Sequence, residues 1–458
     1  MRHSQVEGAM AKYVGQLGEF GDARRASVGD RLIERVVETG SLVIRTLGGD
    51  RAGEIATHRF LSAPSVSCKE MAETLSSNTA SACAGRRILA VQDTTEINFS
   101  GREANRQGLG PAGDGVAAGF FMHPVVAVDA DSEAVLGLVD VQIWTRDKVV
   151  DKVARRNRTL EDKESFRWLT GAERASEILT DADSVVMVAD RECDIFSSFA
   201  RRPMNVDMIV RAAHDRVLHN GGFLFASPNS WTELGRMRVA VTPRRTGEPG
   251  RTTTVALRAG VVEINRPRRG FNRGDPRTVS LTLVEAREIG VPVKGEPLLW
   301  RLLTTINVST AAEAEEIVRL YRLRWRIEEI FRSLKRDGMQ LEETQLHHAD
   351  RIFKLAMVGL EAATRTIQLV DARDGSQRPA SDVINPALLP AAEVIGKSLE
   401  GGTLRQKNPH PPQSLAWLSW IVARLGGWKC YYKPPGPKTM RAGWSRFSMM
   451  AVGFAMAN

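Results

Sequence analysis

The sequence predicts a mixed α/β protein, because apolar segments typical of buried strands alternate with helical patterns along its middle. The predicted strands lie at 88–91, 124–129, 135–143, 185–189 and 206–210. Helical patterns at 161–179 and 194–200 separate the later strands from one another. Strands that first follow one another and then alternate with helices are typical of a sheet with helices packed on its faces.

Both ends of the chain are predicted to be helical. Between Ala26 and Thr39 the apolar residues recur at helical spacing, and this pattern ends at Gly40. Residues 371–390 are linker-like in composition, and residues 391–458 read as helical. We therefore expect a domain at each end of the α/β region.

The segment 215–297 interrupts the alternation of strands and helices. Val, Leu, Thr and Arg alternate within it, and turns rich in Pro, Gly and Arg separate these runs. This pattern predicts a β-rich insertion. The stretch from Arg236 to Arg277 holds eleven arginines against three acids, so the insertion is strongly basic.

The charge of the chain points to a polyanionic partner. Lys and Arg number 63 against 54 Asp and Glu, the net charge is +9 and the pI is about 9.6. Residues 401–458 hold eight Lys and Arg and no Asp or Glu. Basic patches of this kind are typical of nucleic-acid-binding proteins, although they do not prove such a function.

Length and composition exclude several classes of protein. With 458 residues, 43% of them hydrophobic, the chain is too large for a peptide hormone or a small disulfide scaffold. Its four cysteines show no C-x-x-C spacing, which argues against a zinc site or a disulfide framework and fits a reducing cytoplasm. No signal segment and no apolar run of about 18 residues is found, so we expect a soluble cytoplasmic protein without a membrane partner.

Two acids directly follow predicted strands. Asp93 ends the first apolar strand and Asp190 ends the strand at 185–189. Either residue alone is more often a turn former or a helix N-cap. Neighbouring strand ends, however, can bring two carboxylates within reach of one divalent cation.

A third acid lies on the strongest predicted helix, which runs from Ala311 to Arg336. At 100° per residue, Tyr321, Arg324, Glu328 and Lys335 fall within an arc of about 60°. An intrahelical salt bridge or an ordinary solvated face would explain this stripe. The other interpretation is that Glu328 completes a metal site while its cationic neighbours hold phosphates. Three carboxylates without His or Cys suit Mg²⁺ or Mn²⁺ and a phosphodiester substrate.

The helix residues also carry a resemblance to a known family. The spacing of Tyr321, Arg324, Glu328 and Lys335 is similar to the Tyr-(2)-Arg-(3)-Glu-(6)-Lys signature of the DDE cut-and-paste transposases of bacterial insertion sequences. The similarity is to the insertion-sequence-four family, the group typified by the Tn-five transposase. Further matching segments are 21–25, 58–61, 163–168 and 423–427.

The resemblance implies an RNase H-like catalytic core with a β-rich insertion, flanked by helical N-terminal and C-terminal domains. The implied layout is a DNA end-binding domain at 1–70, a catalytic domain at 71–370 with the insertion at about 215–297, and a basic domain for dimerisation and DNA contact at 371–458. By this resemblance the metal ligands are Asp93, Asp190 and Glu328. The implied DNA contacts are Tyr321, Arg324, Lys335, Arg211 and Trp300, where Trp300 would stack on a flipped base.

Two arginines near the N-terminus are further DNA-contact candidates. Arg24 and Arg25 belong to one of the matching segments, on a helix where they could lie along a DNA backbone. An ordinary solvated helix face explains them equally well, because residues 1–60 hold nearly as many acids as bases.

The implied activity is metal-dependent cleavage at transposon ends and strand transfer into target DNA through a hairpin intermediate. Mg²⁺ is the expected cofactor, with Mn²⁺ as a substitute. The expected partners are double-stranded DNA, both terminal repeats and target, and a second copy of the chain in a homodimer. Two alternatives stay open: a catalytically silent DNA-binding regulator of transposition, and a metal-dependent nuclease of the same fold that cuts without joining.

Overall fold

A computed structural model describes residues 16–457 apart from several short segments. The segments outside the description are 100–105, 114, 116, 147–160, 162, 242–249, 269–270, 272–273, 291–295, 336–338, 374, 377, 385 and 432. Part of the predicted N-terminal domain and four arginines of the insertion, Arg244, Arg245, Arg269 and Arg273, therefore lie outside the described residues.

The strands occupy the middle of the chain, as the sequence predicts. They are β1 (Arg87–Gln92), β2 (Thr95–Asn98), β3 (Gly110–Ala112), β4 (Ala117–Asp129), β5 (Val135–Trp144), β6 (Ser184–Ala189), β7 (Val206–Arg211), β8 (Gly235–Val241), β9 (Arg251–Asn265), β10 (Thr278–Glu288) and β11 (Leu299–Thr304).

The helices lie mostly before and after the strands. They are α1 (Ala23–Thr39), α2 (Ile44–Gly48), α3 (Arg51–Ser62), α4 (Cys68–Cys83), α5 (Arg167–Ile178), α6 (Phe196–Ala200), α7 (Ala311–Arg322), α8 (Trp325–Lys335), α9 (Ala349–Ala372), α10 (Leu389–Leu399), α11 (Leu415–Leu425) and α12 (Pro437–Ala457). Helices and strands together confirm the mixed α/β class.

The chain divides into two compact units that each combine distant parts of the sequence. The first unit comprises 1–84, 94–148 and 326–458, and the second comprises 85–93 and 149–325. The boundaries of these two units differ from those of the three-domain layout that the resemblance implies. The two units do not test that layout, which stays a prediction.

In the second unit, consecutive strand neighbours follow the order β1-β6-β7-β11-β10-β9-β8. The pairs β1–β6 and β6–β7 are parallel, whereas β11 and the strands beyond it pair antiparallel. Strands β8 to β10 lie inside 215–297, where the sequence predicts a β-rich insertion. They come between β7 and β11 in the sequence, but in the sheet they extend it beyond β11.

The parallel strands form because their residues are apolar on both faces. Ile88 to Val91 and Val185 to Ala189 are all buried, and side chains buried on both faces are typical of parallel strands. In the first unit, β4 pairs with β2, β3 and β5. Helix α9 is buried around most of its circumference there, which is typical of a central core helix.

The helix predicted from Ala311 to Arg336 is interrupted, so the prediction of one continuous helix is wrong. Helix α7 begins with a capping box between Thr310 and Glu313 and ends at Arg322, and α8 begins at Trp325. The amide N–H groups of Leu323 and Arg324 donate to carbonyls three residues back, at 3.1 Å each. These short-range bonds tighten the last turn and end α7. The arc shared by Tyr321, Arg324, Glu328 and Lys335 was calculated for one straight helix. That calculation does not apply across this break.

Within the first unit, a buried carboxylate joins the start of α8 to β5. Asp371, near the end of α9, has only 3% of its side chain exposed and lies 3.0 Å from the Arg326 guanidinium. It also accepts a 3.0 Å hydrogen bond from the Val135 amide. Burial raises the pKa of Asp371 to about 6, and Arg326 only partly opposes this effect.

Replacing Asp371 with Asn is expected to change how stability depends on pH. Between about pH 4 and 6 the folded protein keeps a proton on Asp371 that the unfolded chain has released, so this group's contribution to stability falls as pH rises through that window. Asn does not titrate. The free energy of unfolding of the wild type, relative to that of Asp371→Asn, should therefore fall by up to about 3 kcal/mol from pH 4 to 6 and then stay constant.

Urea midpoints of both proteins at pH 4, 5, 6 and 7 measure this difference. Asp181→Asn, which neutralises an exposed aspartate, serves as the control for the loss of one carboxylate charge. A difference between wild type and Asp371→Asn that is constant from pH 4 to 7 would contradict the raised pKa.

Candidate catalytic site

Asp93 and Asp190 occupy equivalent positions at the ends of two paired parallel strands. Val91 of β1 is opposite Val188 of β6, and each aspartate comes two residues after its member of this pair. Because adjacent strands lie about 4.8 Å apart, the two aspartates leave the sheet side by side. The two strand ends are therefore neighbours, which the interpretation of Asp93 and Asp190 as ligands of one cation requires.

The Asp93 carboxylate is paired with a guanidinium. Its Oδ2 accepts a 2.6 Å hydrogen bond from Nη1 of Arg324, and the two side chains are 17% and 14% exposed. The pair is thus largely shielded from water, where a charge-assisted hydrogen bond is stronger than at the surface. The break between α7 and α8 allows this contact, because Arg324 lies in the short connection between the two helices.

Asp190 caps a turn, which is the ordinary role that the sequence also predicts for an acid after a strand. Its Oδ1 accepts a 2.8 Å hydrogen bond from the amide of Glu192 and so caps a short 3₁₀ turn over Arg191–Cys193. Among the described residues, no donor reaches its Oδ2. One oxygen therefore fixes the rotamer and the other is available to a ligand.

Tyr321, Trp300 and Arg211 lie close to this strand edge in the same unit. The rings of Trp300 and Tyr321 meet edge to face, with centroids 6.0 Å apart. Burial raises the pKa of Tyr321, while the nearby guanidinium groups of Arg324 and Arg211 partly oppose this rise. Arg211, the last residue of β7, also donates to the Leu299 carbonyl at 3.4 Å. The second unit therefore brings together five of the predicted residues around Asp190: Asp93, Arg211, Trp300, Tyr321 and Arg324.

Glu328 and Lys335 belong to the first unit, where α8 places them. Glu328 lies in the first turn of α8 and is half-buried. Lys335, in its last turn, donates to the Glu96 carbonyl at 2.6 Å and lies 3.6 Å from the Glu342 carboxylate. Part of the Lys335 charge is therefore neutralised within this unit.

Arg24 and Arg25 lie at the start of α1. Asp22 caps this helix, and its carboxylate accepts from the Arg24 amide at 2.8 Å. The Arg24 side chain is exposed, whereas Arg25 donates to the Phe20 carbonyl at 3.1 Å. Arg24 is thus accessible to a ligand, and Arg25 also holds the turn before the helix.

Two buried acids support the strand edge, and sequence reasoning missed both. The Asp194 side chain is fully buried and pairs with Arg216 at 2.6 Å. Glu285 of β10, 1% exposed, lies 3.0 Å from Arg301, which is the neighbour of Trp300. The only sequence signal for Glu285 is that it is a charged residue inside an otherwise apolar strand. No sequence signal marks Asp194.

Oxygen donors from Asp93 and Asp190 fit a hard divalent cation, because Mg²⁺ and Mn²⁺ prefer carboxylate oxygens. Among the described residues, no group of three or more His, Cys, Asp or Glu side chains lies in a metal-binding cluster. Cys193, next to this edge, does not add a sulfur ligand of ordinary acidity, because complete burial raises its pKa well above the usual value.

Part of the chain that forms this site matches a known protein family. The family model of the transposase DDE domain matches residues 202–362. The match supports a DDE transposase, a class whose domains use divalent metals and act on DNA. It includes Arg211, Trp300, Tyr321, Arg324, Glu328 and Lys335. Asp93 and Asp190 precede the matched segment, so their assignment depends on the strand geometry and on the sequence resemblance.

Arg324 and a divalent cation are expected to compete for Asp93, because both neutralise the same carboxylate. Arg324→Ala should therefore bind Mn²⁺ about tenfold more tightly than the wild type, since a hydrogen bond to a charged group contributes about 1.5–3 kcal/mol. Isothermal titration calorimetry without DNA measures this affinity directly.

The matched control is Arg322→Ala, which removes an exposed arginine two residues away and changes the net charge equally. Its affinity for Mn²⁺ should stay close to that of the wild type. Equal changes in the two variants, or weaker binding by Arg324→Ala, would show that Arg324 does not compete with the cation.

Proposed function

We propose that this protein is a cut-and-paste DNA transposase that cleaves phosphodiester bonds at transposon ends and joins those ends to target DNA. The observation that carries the proposal is the pair of aspartates at equivalent ends of β1 and β6, with the cationic and aromatic side chains of Arg324, Tyr321 and Trp300 in the same unit. Carboxylates for a cation beside donors for phosphate are what phosphodiester chemistry requires.

We assign Asp93, Asp190 and Glu328 as the three carboxylates that hold Mg²⁺, with Mn²⁺ as a substitute. The assignment of the two aspartates is supported by their strand ends, and that of Glu328 by its place in the sequence signature. A bound divalent cation would supply activation of the attacking oxygen and stabilisation of the leaving oxygen. Asp190 is suited to this role because its cap bond holds the carboxylate in one orientation.

The cationic residues bind and orient the DNA. Arg324 can exchange Asp93 for a phosphate without losing a charge-assisted hydrogen bond, because a guanidinium pairs equally well with either group. Arg211 adds a second guanidinium near the Tyr321 hydroxyl, and we include Lys335 among the phosphate contacts from the signature. Trp300 is partly exposed and presents a ring on which an unstacked base can rest.

The proposed course of reaction uses one kind of step several times. Water attacks at the element end, the released 3′-hydroxyl attacks the opposite strand to form a hairpin, water reopens the hairpin, and the 3′-hydroxyl attacks target DNA. Each step is an in-line displacement in which one P–O bond forms and another breaks. We propose a homodimer on DNA, so that each end meets an active site, with Arg24 and Arg25 in the segment that binds the ends. The reaction takes place on nucleoid DNA in the bacterial cytoplasm.

Neutral variants of the three acids should abolish cleavage but spare DNA binding. Asp93→Asn, Asp190→Asn and Glu328→Gln each remove one negative charge and keep the shape of the side chain. The assay uses a labelled duplex with the inverted repeats that flank the gene, with Mg²⁺ or EDTA, and measures retention of the duplex in parallel. Cleavage should fall by at least about 10³-fold, roughly 4 kcal/mol of transition-state stabilisation.

The outcomes of this assay separate the rival functions. Nicking without strand-transfer products would identify a nuclease of the same fold. Tight binding without cleavage by the wild type would identify a silent regulator. Loss of DNA binding in all three variants would contradict the assignment of the acids.

Trp300→Ala should slow hairpin formation more than the first nick, because only the hairpin step needs the base out of the stack. The lost stacking of about 1–3 kcal/mol predicts a slowing of roughly 5- to 150-fold for that step. Single-turnover kinetics on a pre-nicked duplex and on an intact one separate the two rates, and Trp300→Phe should recover most of the activity. Equal slowing of both steps would rule out base stacking by Trp300.

A further inference from the structure

A cleft of about 800 Å³ lies in the second unit, between the segment after β7 and the end of β9. Its lining includes four basic side chains, His214, Arg216, Arg266 and Arg268, around the aromatic ring of Phe196. The function proposed above assigns no role to any of these residues. Their chemistry indicates an anionic ligand, and the size of the cleft indicates one larger than a single small ion.

The segment after β7 is held rigidly by Asp194. The carboxylate of this fully buried residue pairs with Arg216 at 2.6 Å, and its Oδ2 accepts the amide N–H groups of Ala213 at 2.7 Å and His214 at 3.2 Å. Arg216 also donates to the Asp194 carbonyl at 2.7 Å. The loop and the guanidinium are thus preorganised, which lowers the entropy lost when a ligand binds.

The opposite wall of the cleft is held in a similar way. Arg266 donates to the Asp275 carbonyl at 2.7 Å, and its guanidinium stacks 4.0 Å from the centre of the Phe271 ring. The Asp275 side chain is buried and accepts a 2.9 Å hydrogen bond from the Ser197 hydroxyl. The two acids that hold the walls of the cleft, Asp194 and Asp275, are therefore buried inside the protein, and the exposed carboxylate of Asp215 in the same loop accepts a 2.8 Å hydrogen bond from the Phe225 amide.

Two of the basic residues have no such structural task. Among the described residues, the side chains of His214 and Arg268 have no ion-pair or hydrogen-bond partner, and Arg268 is exposed on the turn after β9. Neither side chain therefore helps to hold the walls of the cleft, in contrast to Arg216. Arg268 is thus the cation most accessible to a ligand.

The cleft lies close in sequence to the proposed catalytic edge. His214 comes three residues after Arg211, so their backbones are at most about 11 Å apart. One strand of duplex DNA carries a charge about every 3.4 Å along the helix axis. A DNA strand that contacts Arg211 can therefore place phosphates in the cleft a few nucleotides away.

We propose that this cleft binds backbone phosphates of the duplex DNA that enters the catalytic site, with Arg268 as a direct contact and Arg216 as a fixed positive charge. The proposal rests on the function proposed above and extends its DNA-binding surface into the β-rich insertion. Contact with phosphates positions the duplex and is independent of base sequence.

The test measures how the binding of a fluorescein-labelled random-sequence 30-base-pair duplex depends on salt. For the full-length Arg268→Gln protein, the slope of log K against log salt should fall by about 1, because one phosphate contact is lost. Arg268→Lys should keep the wild-type slope. The matched control is Arg174→Gln, which removes a surface arginine paired with Glu177 in the same unit and should leave the slope unchanged.

Phosphate-ethylation interference locates the contact on a duplex that carries the element end. Interference at phosphates within a few nucleotides of the cleaved bond should be lost in Arg268→Gln and kept in Arg174→Gln. Equal slopes for wild type and Arg268→Gln would overturn the cleft proposal alone. A wild type that binds no DNA would overturn the proposed function instead. Displacement of the duplex by millimolar inorganic phosphate at constant ionic strength would identify a site for free anions and likewise overturn the proposal.

Discussion

The parallel pairing of β1 with β6 is the constraint on which the site depends. Parallel strands end at the same edge of a sheet, and the register sets Val91 against Val188, so the residues two positions further along both leave the sheet together. Those residues are Asp93 and Asp190. A shift of one residue between the strands would turn one of the two side chains to the other face. The buried apolar side chains of both strands therefore position the acids as well as stabilise the sheet.

Two like charges at one edge need compensation, and Arg324 provides it. The 2.6 Å contact with Asp93 is possible because the chain leaves the helical path between α7 and α8. Short-range hydrogen bonds from the amides of Leu323 and Arg324 end α7 at this break. In the proposed function the same guanidinium is counterion to the carboxylate and donor to a phosphate, which would link occupancy of the metal site to that of the DNA site.

The strands of the core and the position of the two aspartates could be predicted from the sequence, because long apolar runs reveal buried strands and the residue after each run is visible. The break at Leu323 could not be predicted in this way. Helical periodicity continues through Leu320, Leu323 and Ile327, whereas the contact that favours the break is made with Asp93, far away in the chain. The structural role of Asp194 could not be predicted either, because its partner Arg216 comes from another segment of the chain.

The central claim is that the aspartates at the ends of β1 and β6 bind a divalent cation, and an Asp190→Cys variant tests it most directly. A thiolate is a poor ligand for Mg²⁺ and a better one for softer ions such as Mn²⁺ and Cd²⁺. Cleavage of the element-end duplex should therefore be lost with Mg²⁺ and recovered with a softer ion, while Asp181→Cys behaves as the wild type. Wild-type cleavage by Asp190→Cys with Mg²⁺ would contradict the claim.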